Sequence, residues 1–142
     1  MKVLIFPFDS PLLYDLVARL GHTPLGIVEA KEGMRPEASP PYGVTSFYPT
    51  LGLQSCPVEV PAGVRGRLAV LTPLLDQADA CVFMQDEEGF CESGCEQTNL
   101  YVRYLAAQKG LPVLEVAFPD DRAGGRHLME TLKGFLGGNP RE

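Results

Sequence analysis

From Lys2 to Val28 the chain carries a complete strand–helix–strand unit, and this constrains the fold more than any other stretch. Lys2 to Phe6 is a short apolar run of strand type. Ser10-Pro11 reads as an N-cap and a first helical residue: a serine hydroxyl accepts a free N–H, and proline has none to lose. Leu12, Leu13, Leu16, Val17 and Leu20 then recur at helical spacing, and Gly21 stops the helix. After His22-Thr23-Pro24, Leu25 to Val28 is expected as a second strand. Strands joined through a helix pack in parallel, so the unit points to a parallel sheet.

Downstream of Val28 the periodicity lapses. Residues 29–56 hold Pro36, Pro40, Pro41 and Pro49 and are expected as a long irregular excursion. Its aromatic residues Tyr42, Phe47 and Tyr48 suggest that it packs on something, another subunit among the candidates. Pro57 to Val60 is expected as a third strand. A turn at Pro61-Ala62-Gly63 then leads into a helix through Leu68, Leu71, Leu74 and Leu75. Pro73 should kink that helix or begin a new turn. Ala80 to Met84 is a fourth strand, continuously apolar as in a sheet covered on both faces.

Thr98 or Asn99 is expected to cap the next helix, which carries Leu100, Val102, Tyr104, Leu105 and Ala106 and ends at Gly110. Leu111 to Val116 is a fifth strand. Asp120 and Asp121 should cap a last helix from Arg122 to Leu136. Five strands alternating with helices predict an α/β fold, a three-layer α/β/α sandwich around a mostly parallel sheet, Rossmann-like or flavodoxin-like. The 142 residues fit a single domain, 1–142, large enough to bury a core without disulfide or metal.

The net charge of −6 lacks the basic footprint that nucleic acid or an anionic membrane surface requires. No apolar run approaches the ~20 residues of a membrane span. The N-terminal apolar run, cut off at Pro7, is too short for a signal-peptide core. These features predict a cytoplasmic protein, in which Cys56, Cys81, Cys91 and Cys95 stay reduced. Cys81 lies inside an apolar run and reads as a small buried hydrophobe.

In parallel sheets ligands bind beyond the carboxyl ends of the strands, and two unusual stretches fall there. Cys91-Glu92-Ser93-Gly94-Cys95 places two thiols in a glycine-containing loop that feeds a helix, whose free N–H groups favour thiolate. Asp86, Glu87, Glu88, Glu92 and Glu96 oppose that effect. The pair suits redox cycling, partial metal ligation or mere packing. A complete metal site needs about four ligands, so no metal is assigned. Gly63-Val64-Arg65-Gly66-Arg67 lies after the third expected strand, where backbone N–H groups and two arginines suit phosphate or carboxylate. It is equally readable as a solvated helix start. Ser10, Thr98 and Asn99 complete the candidate anion site. No catalytic triad appears, neither histidine has a ligand partner at short spacing, and no motif names a cofactor.

Gly21-His22-Thr23-Pro24-Leu25 and the run from Val58 to Arg67 resemble the methanogenesis marker protein 5 family. So do Gly94-Cys95 leading to Thr98-Asn99, and Pro112-Val113-Leu114-Glu115. The resemblance extends over nearly the whole chain and is weakest from Glu29 to Ser55. The chain departs from the family at Gln97, where an arginine is expected, and in the wider spacing of Cys91 and Cys95, which argues against a two-cysteine metal clip. The resemblance implies an archaeal accessory protein of methanogenesis, acting in assembly, modification or activation of methyl-coenzyme M reductase. Its implied partners are that enzyme or its maturation factors, with a homodimer also open. Whether the chain is itself an enzyme stays open. A small thiol-redox or iron–sulfur enzyme using Cys91 and Cys95 is one alternative, and a phosphorylated-ligand-binding module is another.

Overall fold

The structure, a computed structural model, describes residues 1–32, 51–85 and 93–138. Four strands form one parallel sheet: β1 (Lys2–Phe6), β2 (Thr23–Leu25), β3 (Ala80–Gln85) and β4 (Val113–Ala117), in the spatial order β2-β1-β3-β4. The helices are α1 (Pro11–Arg19), α2 (Ile27–Glu32), α3 (Ala62–Gln77), α4 (Ser93–Gln108) and α5 (Arg122–Gly137), with a short 3-10 helix at Leu51–Gln54.

Alternation along β1 separates two cores. Val3 and Ile5 pack with Leu13 and Val17 of α1 and Leu128, Leu132 and Leu136 of α5. Leu4 joins Leu68, Leu71 and Leu75 of α3 and Val102 and Ala106 of α4. A period of two in the strand thus meets a period of 3.6 on each side, which gives the three layers. The sheet belongs to the expected α/β class.

The first crossover behaves as its residues require. Ser10 Oγ accepts the Leu13 N–H at 3.3 Å, with Pro11 at the first helical position. Beyond the helix Gly21 takes φ 84°, a left-handed value that glycine adopts without a Cβ clash.

Several expectations are corrected. Among the described residues the sheet has four strands, not five. Pro57 to Val60 forms turns instead of a strand: the Val60 N–H donates to Pro57 O at 3.2 Å, so the backbone is satisfied locally and no ladder forms. Leu25 to Val28 does not continue as strand, because β2 ends at Leu25 and α2 begins at Ile27. Gly26 caps that helix, and its N–H donates to Glu29 Oε2 at 2.8 Å, a reciprocal closure of the helix start. The end of α2 and the 3-10 helix at Leu51–Gln54 fall within the span expected as an excursion, 29–56. Residues 33–50 lie outside the described residues, including Tyr42, Phe47 and Tyr48.

β4 begins at Val113, two residues later than expected. α3 runs through Pro73 without interruption, with Thr72 Oγ1 donating to Leu68 O at 2.7 Å. α4 begins at Ser93, well before the expected cap at Thr98 or Asn99. α5 starts where expected, and Asp121 Oδ1 accepts the Gly124 N–H at 2.6 Å. Among the described residues, no helix is long and apolar enough to cross a membrane.

Candidate functional site

The chain passes from β1 to β2 on one side and reaches β3 on the other, so strand order reverses between β1 and β3. The carboxyl ends of such neighbouring strands are the standard place for a ligand crevice. Helices in this fold run back against the strands, so α1, α3, α4 and α5 all begin at that end. α3 and α4 lie side by side on one face, both packing on Leu4, Cys81 and Phe83. The expected arginine-bearing and cysteine-bearing segments therefore open neighbouring helices.

Their details differ from expectation. Gly63 to Arg67 lies within the first turns of α3, beyond a cap at Pro61 that supplies no side-chain hydrogen bond. Arg65 Nε donates to Val60 O at 2.9 Å, so one edge of this guanidinium closes the preceding turn. Arg67 is half-buried, Gly66 is buried, and Gly63 is exposed with open space where a Cβ would stand. Cys95 falls inside the first turn of α4 instead of preceding the helix, and its side chain lies outside what the structure describes. Cys91 lies outside the described residues. Ser10 is buried as the cap of α1.

The other two cysteines are described fully. Cys81 is fully buried in β3, and burial pushes its thiol up to about 12. Burial also raises the Cys56 thiol, against a smaller lowering by the Arg65 charge, and its S–H donates to Gly52 O at 3.3 Å. Both stay protonated at neutral pH and behave as packing groups. Among the described residues, no group of three or more His, Cys, Asp or Glu is placed to hold a metal ion.

The most developed polar arrangement on the α4 face of the sheet joins β3, α4 and the middle of β4. In the β3–β4 register Phe83 stands beside Glu115, so both point to the α4 face. The Arg103 guanidinium lies 5.3 Å from the Phe83 ring centroid, and Phe83 in turn lies 5.6 Å from the Phe6 ring. Arg103 Nη1 donates to Glu115 Oε1 at 2.7 Å, while Gln85 Nε2 donates to Glu115 Oε2 at 2.8 Å. Thr98 is buried one turn before Val102, on the face of α4 that meets the sheet.

Two atoms in this cluster are buried without a hydrogen-bond partner among the described residues: Asn99 Oδ1 and Arg103 Nε. They lie four residues apart on α4 and so project from the same side of the helix. Unsatisfied buried polar atoms are rare in folded proteins, because each loses its water for nothing. Nε lies on the guanidinium edge that Glu115 leaves unused, the edge that takes a two-oxygen anion in bidentate fashion.

Asn99 is legible from sequence as a cap and as a candidate anion-site residue, whereas nothing in the sequence singles out Arg103, Phe83, Gln85 or Glu115. The available signal was a carboxylate at the centre of the apolar run Val113 to Val116. Only the strand register gives that carboxylate its partners.

A second concavity, of about 440 Å³, lies between the end of β4 and the first turns of α5, lined in part by Phe118, Asp120, Asp121, Gly124 and His127. Its carboxylates make it a poor host for an anion.

The profile of a family described as "uncharacterized protein conserved in archaea (DUF2112)" matches residues 1–138. The chain belongs to this family. A relative described as uncharacterized protein MJ0404, from Methanocaldococcus jannaschii, is 40% identical over 139 residues, covering 95% of this chain and 93% of the relative. No solved structure matches the chain.

Proposed function

We propose that this protein is an accessory factor of methanogenesis that holds a small anionic ligand between α4 and its sheet. In this reading it serves the assembly, modification or activation of methyl-coenzyme M reductase. The observation that carries the ligand part is the pair of buried, unpartnered atoms Asn99 Oδ1 and Arg103 Nε. Arg103 Nε offers a donor to an anionic oxygen, and Asn99 Oδ1 on the same helix face accepts from a hydroxyl or N–H of the same ligand, beside the aromatic pair Phe6 and Phe83. The link to methanogenesis is supported by the relative from a methane-producing archaeon. It is supported further by the likeness of Gly21 to Leu25 and Val58 to Arg67 to the methanogenesis marker protein 5 family.

Two measurements test the two parts separately. Thermal unfolding with inorganic phosphate, simple carboxylates and the thiol- and phosphate-bearing coenzymes of methanogenesis tests the ligand. A true ligand at ~100 times its dissociation constant stabilises by about 2.7 kcal/mol, and Arg103→Lys, which lacks the planar edge, should abolish the gain. Absence of stabilisation with every compound would sink the ligand part. Affinity capture from a methanogen lysate should recover reductase subunits or their maturation factors, and recovery of background proteins alone would sink the accessory part.

A further inference from the structure

The outer side of β4 has no strand partner among the described residues. Its inner side is satisfied by β3: the Cys81 N–H donates to Pro112 O at 2.9 Å, and the Phe118 N–H donates to Gln85 O at 3.0 Å. Successive residues of a strand direct their backbone groups to opposite neighbours. Residues 112, 114, 116 and 118 therefore address β3, and Val113, Glu115 and Ala117 turn their N–H and C=O groups outward. Such a row of unpaired groups is a template for another strand.

We propose that a second copy of this chain docks on β4, antiparallel, about a two-fold axis through Glu115, so that two sheets join into one. The backbone allows only axes that set outward residues opposite outward residues, and among these the axis at Glu115 pairs all three outward residues of β4. With Glu115 opposite Glu115 of the second copy, Val113 faces Ala117, and every outward N–H meets an outward C=O in the close hydrogen-bonded pairing of antiparallel strands. A shift of one residue would set outward groups against inward ones. On the α5 face the same axis places Leu114 beside Val116, an apolar pair.

Charge also favours a second copy as the occupant. Two glutamates face to face repel when unpaired. Here each Glu115 already carries its own Arg103 at 2.7 Å, so the axis gathers two carboxylates and two guanidinium groups into a neutral set. Strand pairing alone covers less than the ~800 Å² per partner of a stable interface. The neighbouring surface supplies more apolar area: Leu100 is 59% exposed and Tyr104 60%, close to Arg103 on α4, and Val113 is 37% and Phe118 48% exposed along β4.

Sedimentation velocity on the full chain over a wide dilution series, with amide hydrogen exchange at each concentration, tests the proposal. A dimer is expected, with exchange at Val113, Glu115 and Ala117 slowed about tenfold or more as it forms. Val113→Lys and Ala117→Lys should each give a folded monomer, while Thr23→Lys on the opposite edge leaves the dimer intact. The paired exchange Arg103→Glu with Glu115→Arg keeps the neutral set and should keep the dimer. A monomer at all concentrations overturns the proposal, as does a dimer indifferent to Val113→Lys. Protection of these amides in a monomer also overturns it, since another segment of the same chain would then occupy the edge. If the lysine variants do not fold, exchange in the unaltered protein decides alone.

Discussion

β2 and β4 are the two outer strands of one sheet, and they are held by different forces. β2 is three residues long with Pro24 at its centre, a residue that cannot donate to a ladder. It is secured by polar contacts: Glu29 accepts the Gly26 N–H through one oxygen and the Tyr14 hydroxyl at 2.9 Å through the other. That one carboxylate ties α1, the end of β2 and the start of α2 together. β4 is longer, contains no proline, and is held by apolar packing of Val116 against Leu128 and Leu132 of α5. Short, proline-bearing edges resist adding strands, whereas a five-residue edge with its one charge neutralised does not. The two ends of the described sheet thus differ, one short and interrupted by proline, the other a five-residue strand without proline.

The difference can be broken from either end. The largest effect is expected on the apolar side, where Leu132 is fully buried under β4. Leu132→Ala should cost about 2–5 kcal/mol in denaturant unfolding through lost transfer energy and the remaining cavity. A cost below about 1 kcal/mol would mean that α5 does not hold this edge.

On the polar side Glu29→Ala should cost about 1–2 kcal/mol, towards the lower end of the range for hydrogen bonds to a charged group because both bonds are only part-buried. Hydrogen exchange should then quicken at Gly26 and at the start of α2, while β4 stays as protected as before. Equal loss of protection at both edges would show that they do not act independently.

The smallest effect concerns His22, in the turn that enters β2. Burial and then the charge of the nearby N-terminal ammonium lower its pKa below 6.5. Its folded state therefore binds a proton less readily than its unfolded state, so stability falls as pH drops through 6.5 towards the lower folded value. His22→Gln should remove that slope between neutral and mildly acid pH without changing stability at pH 8. A slope unchanged by the substitution would assign the acid sensitivity to other groups.

Much of this fold was legible in one dimension because its signals are local. Ser10-Pro11, the leucine spacing of the first helix, Gly21, and the apolar run Ala80 to Met84 each decide the state of their own backbone. The errors fall where a local signal competed with a tertiary one. Pro57 to Val60 has strand composition but meets no ladder, and its backbone closes on itself. Val28 has strand propensity, yet the Glu29 carboxylate on Gly26 pulls the segment into a helix. Thr98 and Asn99 look like caps, but α4 had already begun at Ser93.

The candidate site was less legible than the fold. Ser10, Arg65 and Asn99 could be named as polar residues near strand ends, and the structure engages the first two with the backbone of their own turns. The cluster around Arg103 could not be assembled from spacing. Phe83, Arg103 and Glu115 lie on β3, α4 and β4, and no periodicity relates one element to another.

The sequence alone determined the parallel α/β class, the two apolar faces of the sheet and the capping of its first and last helices. Each follows from neighbours within a few positions, where backbone sterics and side-chain period act directly. Tertiary structure decided the strand count, the strand order β2-β1-β3-β4 and the register that sets Glu115 beside Phe83 and under Arg103. It also decided that β2 and β4 are the outer strands of the sheet among the described residues. Those outcomes depend on which distant groups find hydrogen-bond partners, and the free energy of a pairing does not exist until both strands are in place.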